Sequence, residues 1–285
     1  MIKQTDAPIV ILAGAGLLPA TLAQRMRSDG QPFKMLAFRG FADKATTLQA
    51  DQVRDLLDVR GILACLKEWT PSGVVMAGAV HRPRPSALLG SFSLLLNMNE
   101  LKEIVIRGDD HLLKGAIALL EDNGFPVLGA HEIAPEIMSS EGVFTNRQPS
   151  DEEMHSIASG LQLLNTIAKF DIGQGLVIVN QHVLAIEGPE GTDKMIRRVG
   201  SLQKKRLFAR TAPAIPNSVF IKTAKVQQDL RIDMPTIGPR TIIEAYKAGI
   251  RGVAIGAAKT LIVDKEKTIE EANRRNMFLI GVPVD

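Results

Sequence analysis

The sequence predicts an α/β protein built as two domains, and three observations carry that reading. From Ile9 to Gly129, short apolar runs alternate with helix-like stretches, as in a parallel sheet with crossover helices. The periodicity then fails between Ala130 and Pro149, where Pro135, Ser139, Ser140, Gly142 and Pro149 are scattered. Directly afterwards Ser150-Asp-Glu-Glu153 reads as a capping box that opens a new helix. The expected division is an N-terminal domain over residues 1–132, a linker over 133–149 and a mixed α/β C-terminal domain over 150–285.

Within the first domain, Ile9–Ala13 reads as a buried strand, Gly14-Ala-Gly16 as a turn, and Pro19 as a residue of the first turn of a helix ending at Ser28. The two glycines let a backbone approach a phosphate, and the helix start offers free N–H groups. The third glycine of the dinucleotide fingerprint is replaced by Pro19. A mononucleotide or nucleotide-sugar site and a plain strand-to-helix turn therefore stay open. Phe33–Phe38 and Val74–Gly78 read as further strands, with a helix over Val59–Trp69 between them. His81, Arg82 and Arg84 follow the second of these strands, where open α/β sheets bind ligands. Ser86–Met98 reads as a buried helix or an apolar wall for a lipid chain. Asp109 and Asp110 precede a helix over Leu112–Asp122, where the helix dipole favours acids.

In the second domain a helix to Lys169 leads to a hairpin over Gly175–Ile186 that turns near Asn180. Thr192 reads as the N-cap of a helix over Asp193–Val199, and Val219–Lys222 as a strand. The stretch Gln228–Met234 reads as an extended strand with Asp229, Arg231 and Asp233 on one face and Leu230, Ile232 and Met234 on the other, and Thr236–Gly238 as a turn. Pro235 would end the strand, and a helix over Arg240–Ala248 would follow. Such a face is either a surface charge ladder or a place where a cation and a phosphate meet. Strands over Gly252–Ile255, Leu261–Val263 and Met277–Val282 and a helix over Thr268–Asn276 complete the chain.

Composition narrows the function classes. The 285 residues are 45% hydrophobic and 23% charged, ordinary values for a globular protein. A net charge of +3 and 4% aromatic residues give neither a basic field nor stacking platforms, so no nucleic acid is expected. The single cysteine, Cys65, reads as a core thiol on a helix, and no Cys/His set has zinc spacing. No secretory leader and no spanning run are read, so a protein of a reducing, cytoplasmic compartment is expected. In the second domain Glu187, Glu190, Asp193, Asp229 and Asp233 stand beside Arg197, Arg198, Lys222, Lys225 and Arg231. Oxygen ligands without thiolates suit Mg²⁺ or Mn²⁺, and lysine and arginine suit phosphate oxygens. Phosphoryl transfer to water needs both. No Walker A sequence, kinase signature or Gly-x-Ser-x-Gly elbow is present.

These pieces together resemble the LpxI-type UDP-2,3-diacylglucosamine pyrophosphatases of lipid A synthesis. The matching segments are Gly14-Ala-Gly-Leu-Leu-Pro19, Gly78-Ala-Val-His-Arg82-Pro83, Gly108-Asp-Asp110, Asp171-Ile-Gly-Gln174, Glu187 with Glu190-Gly-Thr-Asp193, and Gln228-Asp-Leu-Arg-Ile-Asp-Met-Pro-Thr-Ile-Gly238. They span nearly the whole chain in the family's order. The sequence departs from the family at Val226, where a proline is usual, and at Gly188-Pro189. The resemblance implies a Rossmann-like N-terminal domain, a C-terminal domain of different fold, and substrate between them. It also implies divalent-cation-dependent hydrolysis of the substrate's pyrophosphate to UMP and 2,3-diacylglucosamine 1-phosphate. Because the substrate carries two acyl chains, work at the inner face of the cytoplasmic membrane is expected; a homodimer is left open.

The expected catalytic residues are Asp233, Asp229, Arg231 and Lys222. Expected substrate contacts are Gly14, Gly16, Arg82, Asp110, Gln174, Thr192, Lys225, Gln228 and Thr236, and expected metal ligands are Asp233, Glu187 and Asp193. On an extended strand Asp229 and Asp233 lie about 13 Å apart, too far to share one ion. Asp233 is therefore read as metal ligand or general base and Asp229 as its support. Competing readings are another metal-dependent nucleotide-sugar pyrophosphatase or transferase, a non-catalytic nucleotide-sugar sensor, and a nicotinamide dehydrogenase.

Overall fold

The computed structural model describes residues 6–80, 109–170, 172–207, 215–225, 229–231 and 234–284. The chain divides into two compact units: Met1–Pro135 with Arg231–Asp233, and Glu136–Leu230 with Met234–Asp285. Both are α/β, as the sequence predicts.

The first unit holds a five-stranded, wholly parallel sheet of β1 (Ile9–Ala13), β2 (Phe33–Phe38), β3 (Gln52–Arg54), β4 (Gly73–Ala77) and β5 (Val127–Leu128) in the order β3-β2-β1-β4-β5. That is the strand order of a Rossmann-like sheet, with the chain reversing direction beside β1. A central parallel strand is covered on both faces and needs no polar alternation, which is why β1 reads as the unbroken run Ile-Val-Ile-Leu-Ala. On one face Val10, Leu12 and Leu36 meet Ile62, Cys65 and Leu66 of α3 (Val59–Trp69) and Ile117 and Leu120 of α4 (Asp109–Asp122). Cys65 is a buried core thiol. Helix α1 (Leu18–Ser28) lies against β1, with Leu22 and Met26 buried. The short α2 (Lys44–Gln49) and β3 carry too few apolar residues to signal themselves in the sequence.

The second unit is built on a six-stranded mixed sheet, β6-β13-β11-β9-β7-β8. Its strands are β6 (Gly142–Val143), β7 (Gly175–Val179), β8 (His182–Ile186), β9 (Ser218–Lys222), β11 (Gly252–Gly256) and β13 (Phe278–Val282). Strands β9, β11 and β13 are parallel; β6, β7 and β8 run antiparallel to their neighbours. The period-two alternation of β9 divides the core. Val219 and Ile221 pack with Ile157 and Leu164 of α6 (Asp151–Ala168). Phe220 packs on the other face with Met195, Ile196 and Val199 of α7 (Thr192–Leu207) and Ile242 of α8 (Pro239–Lys247). Gly160 brings α6 close to the sheet, because a Cβ there would strike Ile221. Helix α9 (Lys265–Arg274) adds Ala272 to the same face as α7. The β7–β8 turn places Asn180 and Gln181 at φ +46° and +65°, the conformation of a tight two-residue hairpin.

Two expectations differ from the structure. Gln228–Met234 was expected as a strand, but Leu230–Arg231 forms a turn, and β10 holds only Thr236–Ile237, paired with β12 (Leu261–Ile262). Pro235 therefore precedes the strand rather than ending it, its carbonyl accepting from the Leu261 N–H. Asp and Arg in alternation imitate strand periodicity without supplying the apolar face that fixes one. With Leu230–Arg231 turning, Asp229 is not held at strand spacing from the residues that follow it. Residues 133–149, expected as a linker, carry helix α5 (Ala130–Ile133) at their start, a 3-10 turn at Pro135–Ile137, and β6. Phe144 N–H donates to Leu279 O at 2.9 Å and Leu279 N–H to Thr145 Oγ1 at 2.9 Å, so the breakers of this stretch mark tight turns along a sheet edge.

That edge is fastened by a buried ion pair. Arg147 Nη2 lies 2.7 Å from Glu153 Oε1, and the Glu153 side chain is 0% exposed. Glu153 Oε2 accepts from Ser150 N–H at 2.8 Å, completing the expected capping box of α6. Arg147 also donates to Arg251 O at 3.0 Å and stacks over Phe278. Arg147→Leu strands the carboxylate without its cation, so it is expected to destabilise the second unit by about 3 kcal/mol. Denaturant titration measures this; a loss under about 1 kcal/mol would show that the pair does not fasten the edge.

Candidate active site

Three residues from separate elements of the second unit meet at one end of its sheet. Lys222 closes β9, whose other residues are all buried and mostly apolar, and the lysine itself is 9% exposed. By alternation it points to the face of Phe220, the side covered by α7. Its Nζ donates to Thr192 Oγ1 at 2.9 Å and to Thr236 O at 3.4 Å. Thr192 Oγ1 in turn donates to Glu187 Oε1 at 2.7 Å. An ammonium has no acceptor, so the hydroxyl must receive from Lys222 and its own proton is left for the carboxylate. The direction of the chain Lys222→Thr192→Glu187 follows from that.

The sheet register explains why these residues meet. Gly175 pairs with Lys222, and Leu176 pairs with Ile186, so the start of β7, the end of β9 and the exit of β8 share one end of the sheet. Glu187 follows β8, and its N–H donates to Gly175 O at 2.8 Å. Two glycines, one before β7 and one at its start, make room for it. A Cβ at Gly175 would lie 3.0 Å from Glu187 Oε2, and one at Gly173 would strike the Glu187 carbonyl. Thr192 was expected to cap α7, but Gly191, at φ +80°, stands before the helix and Thr192 is its first residue. The hydroxyl is thereby free to bridge Lys222 and Glu187. Behind the site Thr260 Oγ1 donates to Lys222 O at 3.3 Å, and Thr223 N–H donates to Gln174 O at 3.0 Å.

The remaining expected residues of this unit lie in different settings. Asp193, 41% exposed, faces Arg240 at 3.2 Å and Arg197 at 3.7 Å. Glu190 pairs with Arg198 at 2.9 Å, and its carboxyl sits below the ordinary carboxylate range, first through its own backbone N–H and then through that guanidinium. Thr236 supplies its carbonyl to Lys222, while its hydroxyl donates to Met234 O at 3.2 Å. Lys225 and Asp229 are part-exposed. Among the described residues no group of three or more His, Cys, Asp or Glu side chains converges as a metal site. One feature does suit a cation: Glu187 Oε2 is buried and without a hydrogen-bond partner.

Arg231 pairs with Glu121 at 2.8 Å within the first unit's grouping. In that unit the glycine turn is held by backbone contacts. Ala15 N–H donates to Ala79 O at 2.9 Å and Ala79 N–H to Ala15 O at 2.8 Å. A Cβ at Gly14 would come within 2.6 Å of Ala79 O, so the close approach that needs this glycine is made by the chain itself. Gly16, at φ +97°, donates its N–H to Asp43 Oδ2 at 2.9 Å. Asp110 belongs to the first turn of α4 rather than to the loop before it. His81, Arg82, Arg84, Ser86–Met98, Asp171, Gln228 and Asp233 lie outside the described residues.

Reading the residues alone missed the Lys–Thr–Glu chain, although its signals are present: a lysine ending a buried strand, and glycines two apart ahead of a hairpin that returns to a glutamate.

Comparison with known proteins agrees across both units. The family model for the LpxI N-terminal domain matches residues 8–137, and that for the LpxI C-terminal domain matches residues 140–280. The UDP-2,3-diacylglucosamine pyrophosphatase LpxI of Caulobacter vibrioides is 34% identical over 272 residues, covering 95% of this chain and 96% of that protein. Among solved structures, the biotin carboxylase domain of Hydrogenobacter thermophilus 2-oxoglutarate carboxylase covers 71% of this chain and 42% of that one at 11% identity and a TM-score of 0.23, a likeness that carries no argument. The chain belongs to the LpxI family.

Proposed function

We propose that this protein hydrolyses the pyrophosphate of UDP-2,3-diacylglucosamine, releasing UMP and 2,3-diacylglucosamine 1-phosphate for lipid A synthesis. The observation that carries the reading is the relative of that name, 34% identical over 95% of the chain. The site is chemically suited to it. The described hydrogen-bond partners of Lys222 are two neutral oxygens, so its charge is not cancelled by them. Such a cation, fixed in place before reaction, stabilises the negative charge that gathers on phosphate oxygens as the anhydride breaks. Held beside a neutral hydroxyl, it does not have to reorganise at that moment.

Mg²⁺ or Mn²⁺ would supply charge neutralisation and an activated water. Glu187, through its buried Oε2, and Asp233 are the residues assigned to hold it. Asp193 is kept in that set as the outermost member, since two arginines face it. Asp233 alternatively takes the proton of the attacking water, with Asp229 and Arg231 in support. Gly14, Gly16, Arg82, Asp110, Gln174, Lys225, Gln228 and Thr236 are assigned to substrate. No helix of the described residues is long and apolar enough to cross a membrane. Transient contact with the inner face of the cytoplasmic membrane belongs to the proposal because the substrate is acylated, and self-association as a homodimer is retained with it.

The direct test is release of UMP from UDP-2,3-diacylglucosamine, with UDP-N-acetylglucosamine in parallel and with or without EDTA. Turnover of the diacylated compound alone, abolished by EDTA and restored by Mg²⁺ or Mn²⁺, is expected. Equal turnover of both sugars would favour a general nucleotide-sugar pyrophosphatase, and full activity in EDTA would remove the cation. Asp233→Ala is expected to lower turnover about a thousandfold in a protein of unchanged melting temperature, and Asp229→Ala to lower it less. The reverse order would exchange their roles.

A further inference from the structure

Resting on the proposed activity at this site, we propose that Thr192 is a positioning residue, oriented by Glu187, that fixes the Lys222 ammonium for catalysis rather than touching substrate. Lys222 is a long side chain with a buried charge. Its stem has four rotatable carbons and its charge is buried at 9% exposure, so its position is set by whichever acceptors the fold provides. Among the described residues these are Thr192 Oγ1 at 2.9 Å and Thr236 O at 3.4 Å, and the first is the shorter.

Thr192 is well placed to act as a fixed point. It opens α7, whose Met195 and Ile196 are completely buried and Val199 nearly so, which ties the helix start to the sheet. A threonine hydroxyl can still rotate, and Glu187 removes that freedom. With the hydroxyl proton directed to Glu187 Oε1 at 2.7 Å, a lone pair is left towards Lys222. The hydroxyl proton and one of its two lone pairs are then engaged within the protein.

The arrangement is not what stability alone would select. Glu187 buries its second oxygen without a hydrogen-bond partner among the described residues, and Gly173 and Gly175 keep the backbone open to admit the residue. An unsatisfied buried carboxylate oxygen opposes folding, which points to a functional reason for the glutamate.

The test uses the full chain with Thr192→Val, Thr192→Ser, Glu187→Ala and the Thr192→Val/Glu187→Ala double variant. Crystal structures of the threonine variants give a readout independent of substrate. In Thr192→Val the Lys222 Nζ is expected to leave its place beside Thr236 O, and in Thr192→Ser to keep it; an unmoved Nζ in the valine variant overturns the proposal even if the substrate has been misidentified. With UDP-2,3-diacylglucosamine, Thr192→Val is expected to lower kcat about tenfold or more with KM within about twofold, and Thr192→Ser to restore most of the loss. The double variant should lose less than the product of the two single losses, because the part of the Glu187 loss that runs through Thr192 is already removed by Thr192→Val. Losses that multiply, or a rise in KM at unchanged kcat, would mean that Thr192 contacts substrate itself. Absence of UMP release by the unaltered protein counts against the activity, leaving the positioning role to the structures of the variants.

Discussion

The buried ammonium of Lys222 constrains the chemistry of the second unit. Lys222 ends a strand whose residues are needed in the core, so its ammonium cannot reach bulk water along the course of the strand. Burying a charge is tolerated only where hydrogen bonds replace hydration. That requirement accounts for Thr192 being the first residue of α7 behind a left-handed Gly191, and for the carbonyl of Thr236 at the start of β10. It also explains why the β7–β8 hairpin returns at the register it does: pairing of Gly175 with Lys222 and of Leu176 with Ile186 delivers Glu187 to the hydroxyl. The two glycines before and at the start of β7 then become steric necessities, since any side chain there would meet the glutamate.

The first unit solves a different problem. Its parallel sheet has the strand order that places a turn after β1 and another after β4 side by side. The fold uses that closeness at once, through reciprocal hydrogen bonds between Ala15 and Ala79. Gly14 and Gly78 are the residues that make the approach sterically allowed. The Gly16 N–H, the group a phosphate would seek, already donates to Asp43. A ligand phosphate at this turn must therefore displace the carboxylate or use other donors, because one N–H cannot serve two anions at full strength.

Much of the fold was legible because its strongest signals are local. Ile9–Ala13 and Val59–Trp69 were delimited to the residue by an apolar run and by helical spacing, and Ser150 with Glu153 announced α6. The short β6 and β10 were not, since they owe their existence to partners far along the chain, Gly281 and Leu261. The misreading of Gln228–Met234 has the same cause. Alternating charge looks like a strand face, but where the stretch is described Leu230–Arg231 turns instead. Glu187, Thr192 and Lys222 could each be picked out as reactive groups, yet the order in which they bond depends on sheet register, which no short stretch of sequence encodes.

On this reading the ammonium of Lys222 is held in the core for reaction rather than for stability. Lys222→Met keeps the length and apolar stem of the side chain while deleting the charge, so turnover of UDP-2,3-diacylglucosamine by this variant, with its melting temperature, tests the claim most directly. The account predicts a melting temperature equal to or above that of the unaltered protein and a fall in kcat of about a hundredfold or more. Turnover near normal in the folded variant would contradict it.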